Sequence, residues 1–270
     1  MSGRARRRAL GQHFLVDSRV VERTIELAAL APGTPVLEVG PGHGVLTDEL
    51  LRAGHPVVAV EIDRELATAL TERGDPRLEV VPSDFLELDE ATRSRLPRNV
   101  VANLPYSTGT AILERLLERP ERVDRIVVML QREVADRLSA EPGSRAYGAL
   151  TVLTALHAKV RYGFDVPPSA FRPPPQVESS VIRLDVEPRP RADISDPARF
   201  RRVVKAAFAQ RRKTLRNSLG ATFGRELAEN GLTRSGIDPV RRAETVSLVE
   251  FARLADALAN APDGRDASPA

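Results

Sequence analysis

Residues 35–44 read PVLEVGPGHG, and this stretch decides the fold. Its first half is an apolar, β-branched run typical of a buried strand, and its second half is a glycine-rich turn that lets the backbone approach a ligand closely. A dinucleotide-binding fingerprint would require glycine where this chain has Val45, and no Gly-Lys-Ser phosphate loop is present. The stretch therefore predicts a strand and a turn, which is either a plain tight turn or a site for a ligand without pyrophosphate.

Strand-like and helix-like patterns alternate around this stretch. Helical patterns, for instance 45–53 and 64–73, separate five β-rich runs at 35–40, 56–63, 77–84, 99–105 and 124–131. Such alternation predicts the α/β class, with a Rossmann-like, mainly parallel and doubly wound sheet. Sheets of this type bind ligands beyond the carboxyl ends of their strands, so functional residues are expected there.

Four successive predicted strands end in residues suited to a nucleoside. The glycine turn begins at Gly40, and Glu61 follows 21 residues later, where an acid can accept hydrogen bonds from both hydroxyls of an adenosine ribose. Asp84 and Asn103 end the next two strands, and Asp84 is placed to meet an adenine amine. Each acid alone is equally explained as a helix N-cap. Together the four positions predict a nucleoside ligand without pyrophosphate, and S-adenosylmethionine fits.

The run Asn103, Leu104, Pro105 and Tyr106 suits chemistry on an exocyclic amine. The lone pair of the adenine amine is delocalised into the ring, and acceptors for its two N–H groups favour a pyramidal, nucleophilic nitrogen. The Asn103 side-chain oxygen and the Leu104 carbonyl are the candidate acceptors. Pro105 presets the backbone, and Tyr106 can stack on the base. An Asn-x-Pro run after a strand is also a common plain turn.

Composition narrows the classes of function. The absence of cysteine excludes disulfides, thiolate zinc sites, iron–sulfur clusters and a cysteine nucleophile, and the four histidines have no metal-ligand spacing. No metal is therefore expected. No apolar run approaches 18 residues and no apolar stretch follows the N-terminal arginines, so we expect no membrane association and a cytoplasmic location.

Basic residues are clustered although the net charge is only +3. Four arginines lie within residues 4–8, and residues 189–216 contain ten basic residues against two acids. This is either a footprint for a phosphate backbone or a solvated face with a basic tail. Plotted as one helix, Phe200 to Leu219 place Arg201, Lys205, Arg212 and Arg216 on a stripe beside an apolar face, and Arg211 falls inside the apolar face.

The pattern changes after residue 133. Residues 147–157 are helix-like, and 158–166 and 179–186 predict two further strands around a proline-rich turn at 167–175. A linker is expected at 187–197, then helices to 259 with breaks near 220–224 and 231–239. The predicted domains are a catalytic domain at 1–187, a helical RNA-binding domain at 188–261 and a disordered tail at 262–270.

Seven stretches carry a resemblance that covers nearly the whole chain: 11–15 (GQHFL), 38–42, 60–63, 103–106, 146–148, 171–175 (FRPPP) and 210–219. In order and spacing they resemble the ribosomal RNA adenine N6-dimethyltransferases of the KsgA type. The resemblance implies a class I methyltransferase domain followed by a small all-helical domain. It also implies dimethylation of two adjacent adenines in a hairpin near the 3′ end of small-subunit rRNA, within a pre-ribosomal 30S particle, by a monomer.

The resemblance also implies roles for individual residues. The cofactor-binding set is His13, Leu15, Gly40, Glu61, Asp84 and Asn103. The adenine-binding set is Asn103, Leu104, Pro105 and Tyr106, with Phe171 stacking on the other face of the extruded base. The RNA-binding set is Arg201, Lys205, Arg212, Lys213 and Arg216. Two positions depart from the common pattern: many relatives have Asn in place of His13, and Ser107 to Thr110 replace the commoner Asn/Lys start.

Three alternatives remain open at this stage. A resistance-type methyltransferase of a large-subunit (23S) rRNA adenine typically has Ile in place of Leu104 and a different C-terminal domain. DNA adenine methylation would use the same Asn-Pro-Tyr chemistry. A noncatalytic ribosome-assembly RNA-binding factor could retain the fold, but the intact glycine and acid positions disfavour this as the sole role.

Overall fold

The computed structural model describes residues 13–210 and 212–258, and they form two compact units. The sheet unit comprises the described residues up to Ser139 together with His157–Arg189, and the helical unit comprises Ala140–Leu156 and the described residues from Pro190 onward. The sequence prediction kept residues 140–156 in the first domain. They belong to the helical unit because Tyr147, Val152 and Leu156 are buried in its apolar core.

The elements of the sheet unit follow in chain order. They are β1 (Phe14–Leu15), α1 (Ser18–Ala28), β2 (Val36–Val39), α2 (Val45–Arg52), β3 (Val57–Val60), α3 (Arg64–Thr71), β4 (Leu78–Val81), α4 (Glu90–Arg93), β5 (Asn99–Asn103), α5 (Gly109–Leu117), β6 (Arg125–Gln131), α6 (Arg132–Leu138), β7 (Ala158–Val166), β8 (Phe171–Arg172) and β9 (Ser179–Val186). Short 3₁₀ turns lie at Phe85–Glu87, Pro120–Arg122 and Pro168–Ala170.

Seven strands form the central sheet in the order β4-β3-β2-β5-β6-β9-β7. The pairs from β4 to β6 are parallel, and β9 and β7 add antiparallel strands. The predicted mainly parallel, doubly wound sheet is confirmed. The chain runs from β2 outward to β3 and β4, then returns to β5 on the other side of β2. The carboxyl ends of β2 and β5 therefore form the switch point where such folds bind ligands.

The strands next to the switch point are apolar because both faces of the sheet are covered. All four residues of β2 are buried, as are Val100, Val101 and Ala102 of β5. Helices α1 and α2 contribute Val21 and Leu50 to the same core cluster. A parallel sheet flanked in this way reads as continuous apolar runs, which is the pattern of 35–40 and 99–105.

A separate two-stranded ribbon joins the start of the described chain to the proline-rich segment. Strands β1 and β8 pair antiparallel, with Phe14 opposite Arg172 and Leu15 opposite Phe171. The Val16 amide also donates to the Ala170 carbonyl at 2.8 Å. The ribbon brings together two of the stretches that carry the family resemblance, 11–15 and 171–175, although Gly11 and Gln12 lie outside the described residues.

The helical unit contains α7 (Ala149–Ala155), α8 (Pro197–Phe208), α9 (Leu215–Phe223), α10 (Arg225–Ser235) and α11 (Leu248–Ala257). Because α8 ends at Phe208 and α9 begins at Leu215, the single helical wheel drawn over this region was wrong. Arg212 and Lys213 lie in the connection rather than on a helix. Gly224, with φ +88°, separates α9 from α10. The expectations for Arg211, for the basic residues 4–8 and for the tail 262–270 concern positions outside the described residues.

Tyr147 is a core residue of the helical unit. Its hydroxyl donates to the Val246 carbonyl at 2.8 Å, and its ring lies 6.1 Å from Phe208. Burial raises the pKa of the Tyr147 phenol to about 12. The 146–148 stretch therefore carries a structural role within this unit.

Candidate active site

A cleft lies at the carboxyl ends of β2, β3 and β5. It is lined by the predicted residues Leu15, Gly40, Glu61 and Asn103 to Tyr106, together with further residues of the ribbon, the glycine turn and the strand ends: His13, Phe14, Glu38, Pro41, Gly42, His43, Val45, Leu46 and Ile62. His13 was predicted as well. The structure thus places eight of the predicted site residues around one cleft.

The glycine turn approaches the cleft with backbone alone. Gly40, Gly42 and Gly44 have φ values of +72°, +60° and +79°, a region that favours glycine. A Cβ atom added to Gly42 would lie 2.9 Å from a ring carbon of Phe14. Glycine at 42 is therefore required both by the backbone conformation and by the packing of β1 against the turn.

Glu61 stands at the end of β3 and is only 2% exposed. Its Oε2 accepts a hydrogen bond from the Gly42 amide at 3.0 Å and its Oε1 accepts one from the Asp63 amide at 2.9 Å. Burial raises the pKa of the carboxyl, and these two amides act in the opposite direction. Each carboxylate oxygen has a second lone pair, so Glu61 can still accept hydrogen bonds from ribose hydroxyls. The turn and this acid fit the nucleoside part of S-adenosylmethionine.

Glu38 is a cleft residue to which the sequence assigned no role. It is 1% exposed, and its Oε2 accepts a hydrogen bond from the Thr47 hydroxyl at 2.6 Å. Burial raises the pKa of Glu38 to about 8, and the nearby Glu61 charge adds to the effect. The Glu38 carboxyl is therefore mainly neutral at pH 7 and places no second negative charge beside Glu61.

Asn103 ends β5 with its side-chain amide oriented. Its Nδ2 donates to the His13 carbonyl at 3.4 Å. Because a carbonyl only accepts, the Nδ2 end must face His13 and the Oδ1 atom is left to accept. Within the described part of the chain, no residue donates to Asn103 Oδ1 or to the Leu104 carbonyl oxygen. Among the described residues these two oxygens are thus open acceptors, and their role toward an amine stays a prediction.

The backbone after Asn103 is held by neighbouring groups. The Leu104 amide donates to the Met129 carbonyl of β6 at 3.2 Å, and the Pro105 carbonyl accepts from the Gly109 amide at 2.7 Å. A Cβ atom at Gly109 would lie 3.2 Å from the Leu104 Cβ and 2.9 Å from Leu130. These contacts set the direction of the Leu104 carbonyl.

Tyr106 is half-buried and is contacted at two points. Its phenol oxygen lies 2.5 Å from the Ser179 hydroxyl, and its ring centroid lies 5.4 Å from that of His13 at an interplanar angle of 33°. Burial raises the pKa of the phenol, and the hydrogen bond with Ser179 lowers it. No role was predicted for Ser179 from the sequence. The pair of serines that opens the predicted strand 179–186 could have indicated one, because a buried hydroxyl needs a hydrogen-bond partner.

Two predicted site residues, Phe171 and Asp84, are not among those that line the cleft. Phe171 is 0% exposed and belongs to the core cluster that contains Leu15 and Val166, so its ring is closed off from a base in this structure, and its stacking on the target adenine stays a prediction. It is buried because β8 pairs with β1 and places Phe171 opposite Leu15. Asp84 does not line the cleft. Its Oδ1 accepts from the Leu86 amide at 2.9 Å, and its contact with a cofactor stays a prediction.

The predicted RNA-binding side chains lie in the helical unit and are exposed. Arg201 and Lys205 line a shallow groove with Arg202 and Thr222. Arg202 lies 4.8 Å over the Phe223 ring. Arg212 and Lys213 lie exposed in the α8–α9 connection, and Arg216 on α9 lies 3.9 Å from Glu229. The groove is thus lined by three cations and no acid.

The described residues also bear on metal sites and membrane spans. No group of three or more His, Cys, Asp or Glu side chains among residues 13–210 and 212–258 has the arrangement of a metal site. In the same part of the chain, no helix is long and apolar enough to cross a membrane.

Comparisons with known proteins agree with this geometry. A family model described as ribosomal RNA adenine dimethylase matches residues 3–260. Ribosomal RNA small subunit methyltransferase A of Syntrophotalea carbinolica is 46% identical over 96% of this chain and 98% of that protein. Its counterpart in Bacillus cytotoxicus is 42% identical over 93% and 91%.

Solved structures show the same architecture. The 23S rRNA methyltransferase ErmE aligns with a TM-score of 0.69 and 30% identity over 91% of this chain and 99% of that chain. A dimethyladenosine transferase from Plasmodium falciparum aligns with a TM-score of 0.73 and 23% identity over 90% and 96%, which is a likeness of fold. The chain belongs to the ribosomal RNA adenine dimethylase family.

Proposed function

We propose that this chain uses S-adenosylmethionine to dimethylate the N6 amines of two adjacent adenines in a hairpin near the 3′ end of small-subunit (16S) rRNA. The observation that carries the proposal is the pair of open acceptors, Asn103 Oδ1 and the Leu104 carbonyl, beside the glycine turn and Glu61. The small-subunit target is favoured over the large-subunit one because the small-subunit relatives are 42–46% identical and ErmE is 30% identical. A role in small-subunit biogenesis follows from this target.

The residues around the glycine turn would hold the cofactor. Gly40 offers backbone, Glu61 offers acceptors for the ribose, and His13 and Leu15 close the cleft from the β1 side. Asp84 is proposed as an additional contact to the cofactor base. When bound, S-adenosylmethionine supplies an electrophilic methyl group on a sulfonium centre.

The adenine-binding residues would activate the target amine. Asn103 Oδ1 and the Leu104 carbonyl accept from the two N–H groups and favour the pyramidal form of the nitrogen. Pro105 presets the carbonyl direction, and Tyr106 stacks on the extruded base, a contact worth roughly 1–3 kcal/mol. A strong general base is not required, because the methylated nitrogen is cationic and its proton can leave to water.

The helical unit would bind the RNA backbone. We assign this role to Arg201, Lys205, Arg212, Lys213 and Arg216, which are exposed cations of this unit. The sheet unit would be the catalytic domain. We further propose a cytoplasmic monomer that acts on a pre-ribosomal 30S particle.

The proposal is tested by offering the protein three substrates. Small-subunit particles, large-subunit particles and DNA are incubated separately with methyl-labelled cofactor, and the modified base is mapped. We expect label only in small-subunit rRNA, as N6,N6-dimethyladenosine at two adjacent positions. Label confined to large-subunit rRNA would support the resistance-type function, and no label in any arm would support a noncatalytic assembly factor.

A further inference from the structure

Ser179 contacts the proposed adenine platform from a rigid position. It is the first residue of β9 and is 0% exposed. In the sheet it lies opposite Gln131 of β6 on one side and Val166 of β7 on the other. Its hydroxyl lies 2.5 Å from the Tyr106 phenol oxygen. A strand paired on both sides thus presents one hydroxyl to the site.

Tyr106 itself lies outside the strands and helices. It follows Pro105 in the turn after β5 and precedes α5. Among the described residues, its side chain contacts the Ser179 hydroxyl at the far end of the ring and the His13 ring beside it. The His13 ring lies 5.4 Å away at a tilt of 33°, and the proposed function requires the other face of the Tyr106 ring to receive the base.

We propose that Ser179 is a positioning residue that fixes the Tyr106 ring, and with it the face that receives the target adenine. The inference rests on the proposed function, because it assumes that Tyr106 stacks on an extruded base. A side chain ordered before the substrate arrives loses less conformational entropy on binding. Loss of the Ser179 hydroxyl would free the ring and also leave the phenol without its buried partner.

The neighbouring serine provides a matched control. Ser180 is also 0% exposed and lies on the same strand. Successive residues of a strand point to opposite faces, and the Ser180 hydroxyl accordingly bonds Asp165 at 2.8 Å and Tyr162 at 2.7 Å. Ser180→Ala therefore removes a buried hydroxyl from the same strand without touching Tyr106.

The test is a double-mutant cycle in the full chain. Ser179→Ala, Tyr106→Phe and the double variant are compared for kcat/KM on small-subunit RNA, for cofactor affinity and for melting temperature. Tyr106→Phe keeps the ring and removes the same hydrogen bond from the other side. We expect each single variant to lose roughly 3- to 10-fold in kcat/KM, the double variant to lose no more than either, and cofactor affinity to stay within about 2-fold. Ser180→Ala should keep wild-type kcat/KM.

Three results would overturn the inference. They are unchanged kcat/KM in Ser179→Ala, multiplication of the two losses in the double variant, and an equal loss in Ser180→Ala. Multiplied losses would show that Ser179 acts independently of the Tyr106 hydroxyl. Failure of the proposed function is seen separately, as absence of small-subunit methylation by the wild-type protein in the same assay.

Discussion

Replacement of Phe171 separates two roles for this residue. In the structure its ring is 0% exposed and packs in the core that includes Leu15 of β1. If Phe171 anchors the ribbon in the core, any buried apolar side chain of similar volume can replace it. If its ring instead moves out and stacks on the adenine, only another aromatic side chain can replace it. Phe171→Leu keeps most of the volume and removes the aromatic face, so the two roles predict different kinetics.

The magnitudes differ enough to be measured. As an anchor, Phe171→Leu should cost about 1 kcal/mol in the free energy of unfolding, and Phe171→Ala about 3–5 kcal/mol because it leaves a cavity. Loss of base stacking would instead cost roughly 1–3 kcal/mol in transition-state binding, which corresponds to about 5- to 150-fold in kcat/KM. Because the Phe171 ring is buried in the structure, we expect Phe171→Leu to keep kcat/KM within about 3-fold.

The assay combines urea unfolding with methylation kinetics on small-subunit RNA, measured well below the melting temperature. Phe200→Leu is the matched control, because Phe200 is also 0% exposed but lies in the helical unit. A Phe171→Leu protein that unfolds like the Phe200→Leu control yet loses more than about 10-fold in kcat/KM would refute the anchor role.

Three further predictions concern charge, pH and the turn. The pKa of Glu38 is raised from 4.5 to about 8, so the contribution of this carboxyl to the free energy of unfolding should be fully present below pH 4.5 and be lost, by on the order of 5 kcal/mol, as pH rises from 4.5 through 8. Glu38→Gln should remove this part of the pH dependence in urea titrations at several pH values. Replacing Lys205 and Arg212 by Gln should weaken RNA binding and make the slope of the logarithm of the binding constant against the logarithm of salt concentration shallower by about 0.7–0.9 per lost phosphate contact. An unchanged slope would show that these cations only face solvent and do not contact the RNA. Gly42→Ala should lower cofactor affinity, measured by calorimetry, about 10-fold, because the added Cβ meets the Phe14 ring and the backbone has a positive φ. Gly33→Ala is the control: its φ is +79° but no atom lies within 4 Å of the added Cβ, so it should only destabilise the fold.

The strands could be predicted from the sequence because each has a pattern of its own. The runs 158–166 and 179–186 match β7 and β9 in both bounds, and the parallel strands match within a few residues. Strands β1 and β8 were missed because two residues carry no periodicity. Their pairing depends on contacts between distant positions in the chain, such as Leu15 and Phe171, which are 156 residues apart.

The helical region shows where a local pattern misleads. Residues 209–214, AQRRKT, contain no glycine or proline, so the sequence pattern predicts a helix that continues from α8 into α9. The structure ends α8 at Phe208, and the Leu215 amide donates to the Arg241 carbonyl at 2.8 Å. A tertiary contact therefore sets a boundary that propensity does not indicate.

The site was predictable where it depends on strand ends. Gly40, Glu61 and Asn103 follow directly from the order of the parallel strands, which places their carboxyl ends side by side. Ser179 and the burial of Phe171 depend instead on antiparallel strands from distant parts of the chain. These features require the three-dimensional arrangement.

The most direct test of the central claim is single-turnover methylation by Asn103→Ala with cofactor affinity measured on the same sample. Asn103 Oδ1 is proposed to act on the amine in the transition state, so its loss should lower the rate by about 100-fold or more. Cofactor affinity should stay within about 3-fold, because the glycine turn and Glu61 are unchanged. Near-normal turnover in this variant would contradict the account.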